Sequence, residues 1–353
     1  MNLAAKIPRT PRHCVWEITT QCNLRCTHCE VEAGERREDE MTGPEMLALA
    51  DDLAAMGCGE VSLTGGEPLV RRGWADIATR LASSGVQVKI VTNGLLVDDE
   101  TVARMLEAGV TGAAVSLDGM REVHDAIRVP TSRMSSRWDS ALRAIDLLAS
   151  SPLRTAVITQ VHRGNIDELG QMYELLAEHG VDAWQVQLTY PLGRLLTTGR
   201  DRLVRPADLP RLEALLAGLV QDGRVTVIPA DNIGYYGRHE PVIRSAIIGR
   251  HAFWTGCMAG CLGLCICSNG DVKGCPSQPD AFVVGNARRE PLASIWQDAD
   301  RFEYNTHWDE SLLEGECARC PHRRLCRAGC TTMAYAVTGT IYDNPFCILR
   351  ADG

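Results

Sequence analysis

Apolar positions along the first two-thirds of the chain follow two alternating rhythms. Short β-branched runs at Cys14–Ile18, Glu60–Leu63, Val86–Val91, Gly112–Ser116, Ala156–Val161 and Trp184–Leu188 have the length and composition of strands. Between them lie longer amphipathic stretches that predict helices at Pro44–Met56, Trp74–Ser84, Asp99–Ala108, Arg137–Ala149 and Ile166–His179, with a further one near Pro206–Gln221. Alternation at this spacing predicts a parallel sheet with helices outside it. Six units fall short of an eight-unit barrel. The expected fold is therefore α/β, a partial, open (β/α)6 TIM-like barrel. In such folds chemistry gathers at the C-terminal ends of the strands.

Composition then divides the chain. Of its 15 cysteines, three cluster at 22–29, none falls between Cys58 and Cys257, and ten lie from Cys257 onward. This implies two domains with different metal content: residues 1–230 as the barrel, 231–256 as a bridge and 257–353 as a small cysteine-rich domain. The opening Met1–Lys6 is soon followed by Pro8 and Pro11, and neither a secretory signal nor a membrane span is legible. The reading is cytoplasmic, with no membrane partner. There disulfides are disfavoured and metal ligation is the better account of the cysteines. A net charge of −9 without a long basic block argues against nucleic acid as a partner.

Cys22, Cys26 and Cys29 follow the first predicted strand on one loop. Three thiolates hold three irons of a four-iron cluster and leave the fourth open, as a catalytic metal site requires. Later strand ends carry Thr64–Pro68, with Gly65, Gly66 and Glu67, then Thr92-Asn93-Gly94 and Ser116-Leu117-Asp118-Gly119. Gly65 and Gly66 allow close backbone approach to a ligand, and Glu67 offers an acceptor to an ammonium group. Asp118 is placed to hold sugar hydroxyls, and Arg128 to pair with a carboxylate through its planar fork. Any one glycine-rich strand end is usually just a turn. Several ringed round a three-cysteine loop are hard to attribute to chance.

These motifs resemble the radical S-adenosylmethionine (SAM) enzymes, over roughly residues 12–200. Cys22, Cys26 and Cys29 fit the family's cysteine spacing, with His28 in a slot often held by an aromatic. Thr64–Pro68 matches the motif that receives the methionine amino group, and Thr92, Asn93, Ser116 and Asp118 match further SAM-contacting strand ends. The resemblance implies a [4Fe-4S] cluster that cleaves SAM to a 5′-deoxyadenosyl radical, which takes hydrogen from a substrate.

The tail resembles the SPASM extension of many radical SAM maturases. Cys257, Cys275, Cys317, Cys320, Cys326, Cys330 and Cys347 match its seven-cysteine spacing, with a hairpin expected around Asn269-Gly270. The resemblance implies two auxiliary [4Fe-4S] clusters, three clusters in all. Cys257, Cys261, Cys275 and Cys330 would hold one, and Cys317, Cys320, Cys326 and Cys347 the other. Cys265 and Cys267 compete with Cys261 for the eighth position, and structural zinc is the bland alternative.

Cys14, Cys58, Cys265 and Cys267 remain, and buried thiols are commonly plain core residues. Cys14 and Cys267 are nonetheless candidates to return a hydrogen atom to a substrate radical. Arg194 is a candidate to face the active site, and His124 and Asp125 read as a loop near Arg128. The resemblance favours a maturase that crosslinks or oxidises a ribosomally made peptide in natural-product biosynthesis, and Phe302-Glu303-Tyr304-Asn305 resembles peptide maturases. Only about a dozen residues precede the first strand. Leader recognition would then need a separate leader-peptide-binding protein or the enzyme's own surface. The alternative is an epimerase or dehydrogenase acting on an antibiotic sugar. Either needs a reducing partner such as flavodoxin or ferredoxin. A sulfatase-maturing role is disfavoured, because Pro276 stands where those relatives carry an acidic base.

Overall fold

The computed structural model describes residues 9–131, 136–248 and 252–351, so the Met1–Lys6 opening lies outside it. Each of the six predicted strands forms. They are β1 (His13–Glu17), β2 (Glu60–Thr64), β3 (Gln87–Thr92), β4 (Val110–Ser116), β5 (Arg154–Val161) and β6 (Ala183–Leu188). All pair in parallel in sequence order, so every C-terminal end lies on one rim. Along these strands burial alternates. Cys14, Trp16, Val61, Leu63, Val88, Ile90, Val157, Trp184 and Val186 are fully buried in the core shared with the helices. Val15, Lys89, Ile158, Gln160, Gln185 and Gln187 alternate with them and are only partly buried, so they line the concave side.

The predicted helices also form. The first spans Gly43–Ala55 and starts on a capping box in which Thr42 and Glu45 satisfy each other's backbone N–H, with Pro44 in the first turn. Asp98 caps the helix at Asp99–Glu107 by accepting from Thr101 N; such caps contribute about 1 kcal/mol each. Arg121–Ile127 is helical where a loop was expected, and it buries His124 completely.

Four strands follow the predicted six. A seventh parallel strand, β7 (Thr226–Pro229), extends the barrel beside β6. It is four residues long and contains a proline, which is tolerated because β7 is the edge of the sheet. From the tail, β8 (Gly263–Ile266) pairs in parallel with β1, and β9 (Asp271–Lys273) returns antiparallel through the expected Asn269-Gly270 turn, followed by β10 (Gly285–Asn286). The result is one ten-stranded sheet, open between β7 and β10. The sheet therefore runs on past residue 257: the tail covers the free edge of β1, whose unpaired backbone groups would otherwise face solvent.

Candidate active site

The loop that follows β1 is held from several sides. Arg25 N and Thr27 N donate to the carbonyls of Val129 and Ile127 at 2.7 and 2.9 Å. Gly66 N and Glu67 N donate to Thr19 and Gln21 at 2.7 and 2.9 Å. A Cβ on Gly66 would stand 2.4 Å from Gln21 O, and one on Gly65 would stand even closer to Thr19 O. The close approach these glycines permit is thus to the chain leading into Cys22, where the sequence had suggested a ligand. Gly193, at φ +54°, packs as tightly from the far side: its Cβ would lie 2.4 Å from the carbonyls of Cys29 and Glu30.

Arg194 also differs from expectation. Its guanidinium donates to the carbonyls of Cys26 (2.6 Å) and Ala33 (2.7 Å), and its backbone N–H to Cys29 O (3.0 Å). It braces the cysteine loop.

Cys22, Cys26 and Cys29 lie within electrostatic reach of one another. Leu24 N–H donates to Cys22 Sγ at 3.4 Å and Ala33 N–H to Cys29 Sγ at 3.3 Å. Burial pushes the Cys22 thiol up to about 12 and Cys26 to about 11, and raises Cys29. Without metal these sulfurs stay protonated at neutral pH, so iron must displace protons as it binds.

Glu67 is fully buried. Its carboxylate accepts from Thr92 Oγ1 (2.8 Å), Asn93 N (2.7 Å) and Leu69 N (3.2 Å), and burial raises its pKa to about 7 against those bonds. Three of roughly four acceptor sites are used, which leaves one for an ammonium group. Asn93 Nδ2 donates to Asn23 Oδ1 at 2.7 Å, tying this strand end to the cysteine loop. Ser116 is partly exposed at the end of β4, on the concave side.

Asp118 corrects the sequence reading. It has no exposed surface, and its Oδ2 receives Arg128 Nε and Nη2, both at 2.8 Å, and His28 Nε2 at 3.0 Å. Its Oδ1 accepts from Gln160 N at 2.9 Å, and its own N–H donates to His124 Nδ1. Burial alone would raise its pKa; Arg128, then His28, overcome that and hold it well below the usual carboxylate range. Asp118 is therefore spent inside the protein and fixes Arg128, which lies within electrostatic reach of Cys26 and Cys22.

Electrostatic reach links several of the tail cysteines. Cys257 acts electrostatically on Cys261, Cys275 and Cys330, and Tyr304 feels Cys257, Cys275 and Cys261 together. Cys317, Cys320, Cys326 and Cys347 line one solvent-open cavity together with Tyr235 and Arg350. Cys265 is the β8 neighbour of Lys273 on β9, and Cys267 hydrogen-bonds Cys265 beside Lys273 and Glu17. Cys261 thus lies within electrostatic reach of Cys257, while Cys265 and Cys267 pair with each other. Among the described residues no three Cys, His or acidic side chains converge on a single point. The fit to clusters rests on the donor chemistry and on one orphaned buried donor, Gln278 Nε2, beside the first group.

Other candidates resolve into structural parts. Cys14 is fully buried near Cys58, in phase with Trp16 and away from the concave side, so the structure does not support it as a hydrogen donor. The Phe302–Asn305 motif frames the first tail group: Phe302 packs edge-on against Trp296, and Asn305 Nδ2 holds Ala259 O at 2.8 Å. Sequence reasoning missed Glu30. This carboxylate bonds Gln160 Nε2 at 3.2 Å and Ser277, and feels Lys273, so it links the β1 loop to the Cys275 loop. Its adjacency to Cys29 was the available signal.

Comparison with known proteins agrees with this arrangement. The radical SAM superfamily profile matches residues 16–176, and that of the SPASM iron–sulfur cluster-binding domain matches residues 257–321. An AdoMet-dependent heme synthase of Methanosarcina barkeri is 31% identical over 351 residues, covering 96% of this chain and 97% of the relative. The mycofactocin maturase MftC of Mycolicibacterium smegmatis is 30% identical, covering 94% and 80%. Among solved structures, anSMEcpe with AdoMet and a peptide superposes with a TM-score of 0.73 at 16% identity, covering 96% and 94%. Streptococcus suis SuiB bound to its precursor peptide SuiA gives 0.72 at 15%, covering 97% and 76%.

Proposed function

Because the chain belongs to the radical SAM superfamily and carries a SPASM region, and so is an enzyme, we propose that it modifies a ribosomally made peptide by hydrogen abstraction in natural-product biosynthesis. Cys22, Cys26 and Cys29 would hold the SAM-binding cluster, which when reduced supplies the electron that cleaves SAM to a 5′-deoxyadenosyl radical. The observation that carries this reading is the convergence on one rim of the three thiols, the buried Glu67 acceptor and the Asp118-held Arg128. Glu67 would receive the methionine ammonium. Arg128 would place positive charge beside the thiols, and Arg194 and Gly193 would keep the loop in register. The two tail groups would hold two auxiliary clusters, three in all, and the enzyme draws on an external reducing carrier.

The peptide class is supported by the 30% identity to a mycofactocin maturase across nearly the whole chain. A second reading, action on a tetrapyrrole, is supported by the 31% identity to a heme synthase over a still longer span. The sugar-epimerase reading loses its first hydrogen donor with the burial of Cys14. Anaerobically reconstituted enzyme with dithionite and SAM should release 5′-deoxyadenosine. Mass spectrometry of a short precursor peptide encoded beside the gene should show a loss of hydrogen or another oxidative change. Turnover of iron-coproporphyrin with the peptide untouched would overturn the peptide reading. No 5′-deoxyadenosine from iron-replete enzyme would overturn the enzyme reading itself.

A further inference from the structure

Two uncharged side chains adjoin cysteines of the first tail group: Gln278 at the backbone of Cys275 and Tyr190 at the sulfur of Cys330. Gln278 is 2% exposed. Its Oε1 accepts from the backbone N–H groups of Gly274 (3.1 Å) and Cys275 (3.0 Å), and from Tyr304 Oη at 3.3 Å. Two converging backbone donors require the oxygen on that side, so the orientation of the amide is fixed. Its Nε2 is consequently turned the other way, buried and without a partner. A buried donor left unpaired costs about 1–3 kcal/mol, so a retained one calls for an acceptor. Tyr190 supplies the second donor. It follows β6, is 7% exposed, and its hydroxyl lies 3.5 Å from Cys330 Sγ. Once Cys330 is a thiolate ligand its sulfur only accepts, so the tyrosine must donate.

We propose that Gln278 Nε2 and Tyr190 Oη donate hydrogen bonds to the sulfurs of the first auxiliary cluster and hold its reduction potential up. Hydrogen bonds to cluster sulfurs stabilise the more negative, reduced state, which is why they set potential. Tyr235 is the natural third candidate, but its hydroxyl is already engaged: it accepts from Cys330 N at 2.7 Å and donates to Asp231 O at 2.8 Å. The inference rests on the reading of Cys257, Cys261, Cys275 and Cys330 as one ligand set.

The test is an EPR-monitored redox titration of the full-length reconstituted enzyme. Gln278→Glu keeps an acceptor for Gly274 and Cys275 while removing the donor; Tyr190→Phe removes only a hydroxyl. Each should lower the potential of one auxiliary centre by at least tenfold in its oxidised-to-reduced ratio, 59 mV for a one-electron couple. Iron content and the potential of the other auxiliary centre should not change. If the potential stays put in both iron-replete variants, the proposal is wrong; if it stays put in one, that residue's part is wrong. Cys330→Ala, which leaves no donor atom for iron, tests the premise separately. Should that variant keep its full iron, the ligand assignment fails rather than the hydrogen-bond inference.

Discussion

Replacing Asp118 by asparagine changes shape very little and charge completely, which makes it a sharp test of how the site is held together. The wild-type carboxylate takes four donors: two from Arg128, one from His28 and the backbone N–H of Gln160. Asparagine turns one acceptor oxygen into a donor that meets other donors. It also leaves Arg128, 8% exposed, as a buried cation without its partner. Removing one member of a buried pair typically costs about 3–5 kcal/mol, a third or more of the stability of an ordinary domain. Urea denaturation of the reduced, iron-free protein should show a midpoint lowered by that amount with unchanged slope. The pH dependence carries a sign. Asp118 is depressed in the folded state, so its contribution is complete above the ordinary value of 3.8 and fades only as pH falls below it. The gap between wild type and variant should therefore be constant from about pH 6 to 8 and narrow only in strong acid. A gap under about 1 kcal/mol at pH 7, or one already closed at pH 6, would refute the argument. Adding Arg128→Met to Asp118→Asn should recover part of the loss, because the unpaired cation goes with it.

Glu67 carries the opposite sign. Its folded pKa is raised to about 7 from 4.5, so the iron-free protein should lose about 3 kcal/mol between those values and level off above pH 7; Glu67→Gln should flatten that slope in denaturant titrations while weakening SAM binding by calorimetry. Gly193→Ala should displace the Cys29 loop, with lower iron retention and at least tenfold less 5′-deoxyadenosine, whereas Gly180→Ala, also at positive φ but meeting only Ala149 Cβ at an ordinary 4.0 Å, should cost only its backbone term, about 1 kcal/mol, and keep activity. Cys14→Ala should lower thermal stability modestly and leave SAM cleavage at the wild-type rate, since the thiol sits in the core; a lost activity with retained iron would return Cys14 to the mechanism.

Strand and helix positions were legible because each unit buries a face whose period is written in the sequence, and the Cys22–Cys29 spacing is a local property of one loop. What eluded the sequence is how polar side chains at the strand ends spend their hydrogen bonds. Asp118 and Arg128 were each read as facing a ligand, yet they are ten residues apart and satisfy one another across the rim. Gly65 and Gly66 read as a cradle for a cofactor, and the fold adds a second reason for them: they make room for the chain entering Cys22. Arg194 looked like a substrate contact and is a brace on the carbonyls of Cys26 and Ala33. In each case residue type indicated that the position matters, and only the fold supplied the partner. The same reasoning runs in reverse for Gln278. No motif marks it, but its oxygen is pinned by the backbone N–H groups of Gly274 and Cys275, which leaves its Nε2 buried beside the Cys275 loop without a partner.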